Sequence, residues 1–243
     1  MYRKILAAAL LALPLCAGAA ELTVSAAASL TNAFKEVAQA FEAVNPGDKV
    51  LLNFAASDPL VQQIAKGAPV DVFAAADQDA MDKAANLQLL AAGTRRDFVS
   101  NKVVLVVPTG SRIATLAELR GATRLTTGNP ASVPIGRYTQ EALEQAGLWQ
   151  ALAPKFVYGA SVRQSLDYVA RGEADAGFVY ATDVAAQKDK VKAVLTVPTA
   201  TPVRYPIAVT AHAQQAQLAR RFVDFAVSGP GQAILARHGF GKP

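Results

Sequence analysis

Apolar residues follow two rhythms along this chain. Short runs rich in branched aliphatics, such as Leu22-Thr23-Val24, Val50-Leu51-Leu52-Asn53-Phe54, Val70-Asp71-Val72-Phe73 and Ala176-Gly177-Phe178-Val179-Tyr180, read as strands. Further strands are predicted over 103–107, 124–126, 156–158, 191–197 and 205–209. Between them, apolar residues recur every three or four positions, as in Leu30, Phe34, Val37 and Phe41, the spacing of one helix face. Helices are predicted from Ser29 to a stop at Asn45-Pro46-Gly47, from Pro59 to Gly67, and over 81–90, 116–119, 138–146 and 161–171. Two more follow over 214–227 and 232–238, split by Ser228-Gly229-Pro230-Gly231. Strand–helix alternation of this kind predicts an α/β protein with parallel sheets under helices. Two such sets without a long linker predict two lobes, with a ligand cleft between them beyond the strands' carboxyl ends.

The first 20 residues follow a different logic. Arg3 and Lys4 precede an apolar stretch from Ile5 to Cys16, then Ala17-Gly18-Ala19-Ala20 and the polar Glu21. That is the layout of a secretory signal peptide over 1–20, cleaved after Ala19 or Ala20. The stretch is shorter than the roughly 20 residues a membrane span needs. Leu13-Pro14-Leu15 lacks the small residues of a lipidation site at Cys16, the one cysteine in 243 residues. The mature chain is thus expected to be cysteine-free and periplasmic, without a disulfide framework. Discounting Arg3 and Lys4 from 24 basic residues leaves 22 against 19 acidic ones, and no basic run tracks a phosphate backbone, so nucleic acid is not an expected partner.

Enzymatic signatures are missing: there is no P-loop and no G-x-S-x-G elbow, and Gly229-Pro230-Gly231 reads as a helix break. His212 and His238 read as surface or packing residues, and Asp77 and Asp79 as a solvated helix start. The informative positions are strand-to-helix junctions that carry small, neutral donors. In Ala26-Ala27-Ala28-Ser29 the alanines permit close backbone approach and Ser29 occupies an N-cap position. In Ala55-Ala56-Ser57-Asp58-Pro59, Pro59 suits the first helical position, so Asp58 is the expected cap and the Ser57 hydroxyl is free to turn outward. Val133-Pro134-Ile135-Gly136 opens another helix, Ser161 caps a fourth and leaves the Val162 amide unpaired, and Tyr180 ends a buried strand. Hydroxyls, amides and helix dipoles aimed at one cleft suit an oxyanion, best of all a fully deprotonated dianion, because every group donates.

These segments resemble the bacterial periplasmic molybdate-binding proteins. The resemblance rests on Ala26 to Ala33, Phe54-Ala55-Ala56-Ser57, Gly67 to Phe73, Ala75-Ala76-Asp77-Gln78, Gly128-Asn129-Pro130, Val133 to Tyr138, Ala176 to Tyr180 and Arg204-Tyr205-Pro206, in order from about Glu21 to the C-terminus. It implies a type II periplasmic binding protein fold, with lobe 1 over 21–101 plus 206–243 and lobe 2 over 102–205. The lobes would open and close about crossings near Asn101-Lys102 and Tyr205-Pro206. It implies a monomer that binds molybdate, and tungstate too, and delivers it to an inner-membrane ABC permease. The metal would be held as its oxyanion, with no protein–metal bond and no cofactor. Carried over by motif, the ligand-binding groups are the hydroxyls of Ser29 and Ser57, the amides of Ile135 and Val162, and the Tyr180 phenol. Asp58 departs from the neutral residue of many relatives and is expected to cap its helix facing away, since a carboxylate in the cleft would repel a dianion. Arg137 and Arg163 are expected on the surface, adding a favourable field.

Four other readings compete. One is a binding protein for another anion, tungstate or sulfate. A secreted hydrolase with Ser29 or Ser57 as nucleophile lacks a histidine near either motif. A ferric-binding protein needs clustered tyrosines, and Tyr180 has no tyrosine beside it in sequence. A cytoplasmic regulator's effector domain conflicts with the leader.

Overall fold

The computed structural model describes residues 20–243. The expected leader, apart from Ala20, and Cys16 lie outside the described residues. Ten strands are formed: β1 (Glu21–Ala27), β2 (Lys49–Ala55), β3 (Val72–Ala74), β4 (Arg96–Asn101), β5 (Val103–Pro108), β6 (Leu125–Gly128), β7 (Phe156–Gly159), β8 (Ala176–Tyr180), β9 (Val191–Val197) and β10 (Val203–Val209). The α-helices are α1 (Thr31–Val44), α2 (Ser57–Ala65), α3 (Gln78–Asn86), α4 (Pro134–Gln145), α5 (Trp149–Leu152), α6 (Val162–Ala170), α7 (Ala216–Val227) and α8 (Gly229–Arg237).

The strands make two five-stranded sheets, ordered β2-β1-β3-β10-β4 and β7-β6-β8-β5-β9. β1 runs parallel to β2 and β3, and β6 runs parallel to β7 and β8. The sheets are mixed rather than parallel throughout, because β10 is antiparallel to β3 and β4, and β5 to β8 and β9. β5 is the strand by which the chain enters the second lobe, and β10 the strand by which it returns to the first. The first crossing falls at residue 102, between β4 and β5. The second lies within 198–202 and not at Tyr205-Pro206, since all of β10 is hydrogen-bonded into the first sheet.

Helix α1 buries the predicted stripe of Phe34, Val37 and Phe41. Phe34 and Phe41 meet Phe222 of α7 edge-on, at ring distances of 6.1 and 5.2 Å, and each buried ring contributes about 1.5–3 kcal/mol. Strand β4 was not legible, for Arg-Asp-Phe-Val-Ser-Asn lacks period-two alternation; its pairing with β10 makes it a strand. The segment expected to split the last two helices instead begins α8, where the Ser228 hydroxyl accepts from the Gly231 amide. No helix among the described residues is long and apolar enough to cross a membrane.

Candidate oxyanion site between the lobes

All six parallel strands end at one cavity between the two sheets. It is lined by Ala27, Ala28 and Ser29 after β1, Ala56 and Ser57 after β2, and Ala76 after β3. From the other lobe come Val133 to Ile135 after β6, Val162 after β7, and Tyr180 at the end of β8. The five residues proposed from sequence therefore converge, and all are buried. About 200 Å³ within this lining, open solvent included, is unfilled by atoms. A broader hollow on the second lobe contains Glu118 and Asp175, but both carboxylates are engaged by backbone amides, those of Ala114 and Thr115 and those of Thr123 and Arg124.

Each donor has a local cause. Helices α2 and α4 start without a side-chain cap, so the amides of Ser57 and Ile135, in their first turns, lack intrahelical partners. Ser161 caps α6 by accepting from Gln164, which leaves the Val162 amide at the helix start. Helix α4 sits tight on the end of β6: a Cβ at Gly136 would lie 2.2 Å from the Gly128 carbonyl oxygen. Ser29 does not cap α1 as expected; it lies inside a 3₁₀ turn, Ala28–Leu30, and its hydroxyl is 2.9 Å from that of Tyr205. Ser57 is the first residue of α2, and its Oγ accepts from the Ala76 amide at 3.0 Å. The Tyr180 hydroxyl is buried without a hydrogen-bond partner among the described residues.

Asp58 does not cap α2, which starts without a side-chain cap; it is not among the residues that line the cavity, and its carboxylate turns to cations beside it. Its Oδ2 accepts from Arg137 of α4 at 2.8 Å, and Lys83 lies 3.4 Å from its Oδ1. Arg137 also binds Asp77 with Nε and Nη2 at 2.8 and 2.6 Å, so one guanidinium from the second lobe clasps two carboxylates of the first. Asp77 caps α3 through the Ala80 amide rather than lying solvated. Burial pushes its carboxyl up to about 6 against the pull of Arg137. Burial works against the Arg137 charge as well, yet Asp77 and Asp58 outweigh it and hold the guanidinium protonated. Arg163 binds buried Asp183 at 2.6 Å and reaches Asn32 across the cleft at 3.4 Å. Burial likewise lifts Asp183 to about 6. Both arginines are thus spent on carboxylates, and the cavity is left to neutral donors. Charges of opposite sign beside site motifs in different lobes, Asp58 after Ser57 and Arg137 after Ile135-Gly136, were the available signal.

Tyr180 has tyrosines beside it in space: its ring meets Tyr138 and Tyr205 at 6.5 and 5.6 Å. Burial pushes all three phenols up, so in the ligand-free protein they stay protonated donors. Among the described residues no three His, Cys, Asp or Glu are grouped to hold a metal ion. The site serines are bonded to Tyr205 and the Ala76 amide, whereas His238 binds Glu36.

Two mixed α/β lobes with neutral donors gathered at the carboxyl ends of their parallel strands are the architecture of a solute-binding protein. A family model described as "Bacterial extracellular solute-binding protein" matches residues 22–241, and the chain belongs to that family. Within reach of it by sequence is the molybdate-binding protein ModA of Escherichia coli K12, 38% identical over 231 residues, covering 90% of this chain and 88% of that protein. The periplasmic molybdate-binding protein of Azotobacter vinelandii superposes with a TM-score of 0.80 at 24% identity, covering 91% of this chain and 99% of that one. The sulfate-binding protein SubI of Mycobacterium tuberculosis H37Rv gives 0.79 at 20% identity, covering 91% and 86%. Such near-equal likeness shows the fold alone and leaves the choice of anion to the side chains.

Proposed function

We propose that this chain binds molybdate in the periplasm as a monomer, takes tungstate in the same site, and hands the anion to an ABC permease. The Ser29 and Ser57 hydroxyls, the Ile135 and Val162 amides and the Tyr180 phenol hold the four oxygens. The observation that carries this is the Tyr180 hydroxyl: a buried polar group left unpaired costs about 1–3 kcal/mol, and a ligand oxygen in this cavity would satisfy it. A donor-only site favours a dianion over hydrogen phosphate, whose proton needs an acceptor. Sulfate carries the same charge on a smaller tetrahedron. It cannot meet donors from both lobes at once, and each one missed costs about 1–3 kcal/mol. The anion touches both lobes only when they are closed, so it stabilises closure by its differential affinity, and a permease that reads the closed surface responds to loaded protein.

Titration calorimetry with sodium molybdate, tungstate, sulfate and phosphate tests this. Strong heats are expected for the first two alone. Micromolar or tighter sulfate binding without a molybdate heat would overturn the reading.

A further inference from the structure

The two site serines are both held from behind by another group, and in one case the direction of that bond is fixed at once. The Ala76 amide donates to Ser57 Oγ, and an N–H has no alternative, so the Ser57 proton points elsewhere. Ser29 Oγ meets the Tyr205 hydroxyl at 2.9 Å, a bond that either oxygen could donate. Asn101 decides between them. Its Oδ1 accepts from the Lys102 amide at 2.9 Å, which turns Nδ2 toward Tyr205 Oη at 3.3 Å and Thr182 Oγ1 at 2.9 Å. A side-chain amide N–H only donates. Tyr205 therefore accepts from Asn101; among the described residues the only acceptor beside its hydroxyl is Ser29 Oγ, so its own proton goes to Ser29, whose proton is left for the cavity.

We propose that Asn101 and Tyr205 are positioning residues, forming a one-way hydrogen-bond relay that holds Ser29 as a donor to the anion. The inference rests on the reading that Ser29 binds the anion. Neither relay residue lines the cavity. Asn101 ends β4 where the chain passes into the second lobe, and Thr182 belongs to that lobe, two residues past Tyr180. The donor that sets the direction of the relay thus bridges the crossing itself. Successive bonds of one polarity strengthen one another, and the arrangement makes Ser29 equivalent to Ser57, which a backbone amide holds in the same sense. Burial pushes the Tyr205 phenol well up, which keeps the relayed proton in place.

A double-mutant cycle read by molybdate calorimetry separates this relay from ordinary packing. Tyr205→Phe is expected to weaken binding about three- to tenfold, and by less than about twofold when Ser29 is already alanine. Asn101→Asp, whose carboxylate draws the Tyr205 proton toward itself and reverses the chain, is expected to cost more than Asn101→Ala. Its excess should vanish in the Tyr205→Phe background, where mere charge repulsion would persist. Equal losses from Tyr205→Phe with and without Ser29 would overturn the relay and leave the site intact, as would an Asn101→Asp excess that survives Tyr205→Phe. Unchanged affinity in Ser29→Ala would instead refute Ser29 as a ligand, and the relay with it.

Discussion

The two lobes repeat one topology with different chemistry. In each, a central strand lies between two parallel neighbours, and the strand that crosses between lobes is added antiparallel: β2-β1-β3-β10 in one, β7-β6-β8-β5 in the other. Each sends three strand ends to the shared cavity. The first lobe offers hydroxyls, on Ser29 and Ser57, each with a donor behind it. The second offers helix-start amides at Ile135 and Val162 and a phenol, Tyr180, with no donor behind it. Hydroxyls rotate and must be held to donate, whereas an amide is fixed by its helix. The first lobe therefore carries a network behind its hydroxyls, whereas the two amides of the second need none and its one hydroxyl, that of Tyr180, is left without a protein partner among the described residues.

The largest effect should come from breaking the hydroxyl lobe. Ser57→Ala removes a donor to a charged ligand, worth about 1.5–3 kcal/mol or some 10- to 150-fold in affinity. It also orphans the buried Ala76 amide, lowering stability of the ligand-free protein by about 1–3 kcal/mol. Calorimetry and chemical denaturation should show both losses together; a loss of affinity with no loss of stability would mean that Ala76 is satisfied some other way.

The amide lobe can be broken without touching a side-chain network. Val162 is the first residue of α6 and follows Ser161 in an extended conformation, φ −155° and ψ 166°. Proline is tolerated there and brings no N–H. Val162→Pro should lower molybdate affinity by up to the same 10- to 150-fold while circular dichroism retains the helix. Undiminished affinity would remove the α6 amide from the site. Tyr180→Phe sharpens the contrast further. It deletes a hydroxyl that is buried and unpartnered, so affinity should fall about tenfold or more while the thermal midpoint of the ligand-free protein holds or rises. A fall in that midpoint would show that the phenol has a structural partner.

How much of this was written in the sequence follows the same division. The alanine-serine junctions, Pro134 at a helix start and Tyr180 at a strand end are local signals, and all lie beside the cavity, although neither Ser29 nor Asp58 caps its helix. The helices and strands with clear periodicity formed as predicted. What stayed hidden depends on chain segments distant in sequence. Strand β4 exists because β10 returns beside it, and β10 itself returns earlier than its apolar pattern suggested. Asp58 looked like a cap because Pro59 follows it, yet an arginine 79 positions away claims its carboxylate. Tyr205 and Asn101 lie 176 and 72 positions from Ser29, beyond any local reading.

The smallest effect belongs to the ion cluster that joins the lobes. Arg137→Gln removes the cation between Asp58 and Asp77, leaving Lys83 as the partner of Asp58 and the Ala80 amide as that of Asp77. Affinity at neutral pH should fall about three- to tenfold, a cost of about 0.6–1.4 kcal/mol, since lost closure contacts and added repulsion both oppose the dianion. The pH dependence gives this its signature. Asp77 sits at about 6 in the intact protein because burial opposes its charge, and a pKa raised above the ordinary carboxylate value means that the protonated form is favoured as pH falls. Without Arg137 the rise must be greater still. The penalty of Arg137→Gln should therefore be full well above pH 6 and shrink as Asp77 takes up its proton on acidification. Titrations between pH 5 and 8 that show a constant ratio of the two affinities would exclude repulsion from Asp77 and assign the whole loss to the missing contacts between lobes.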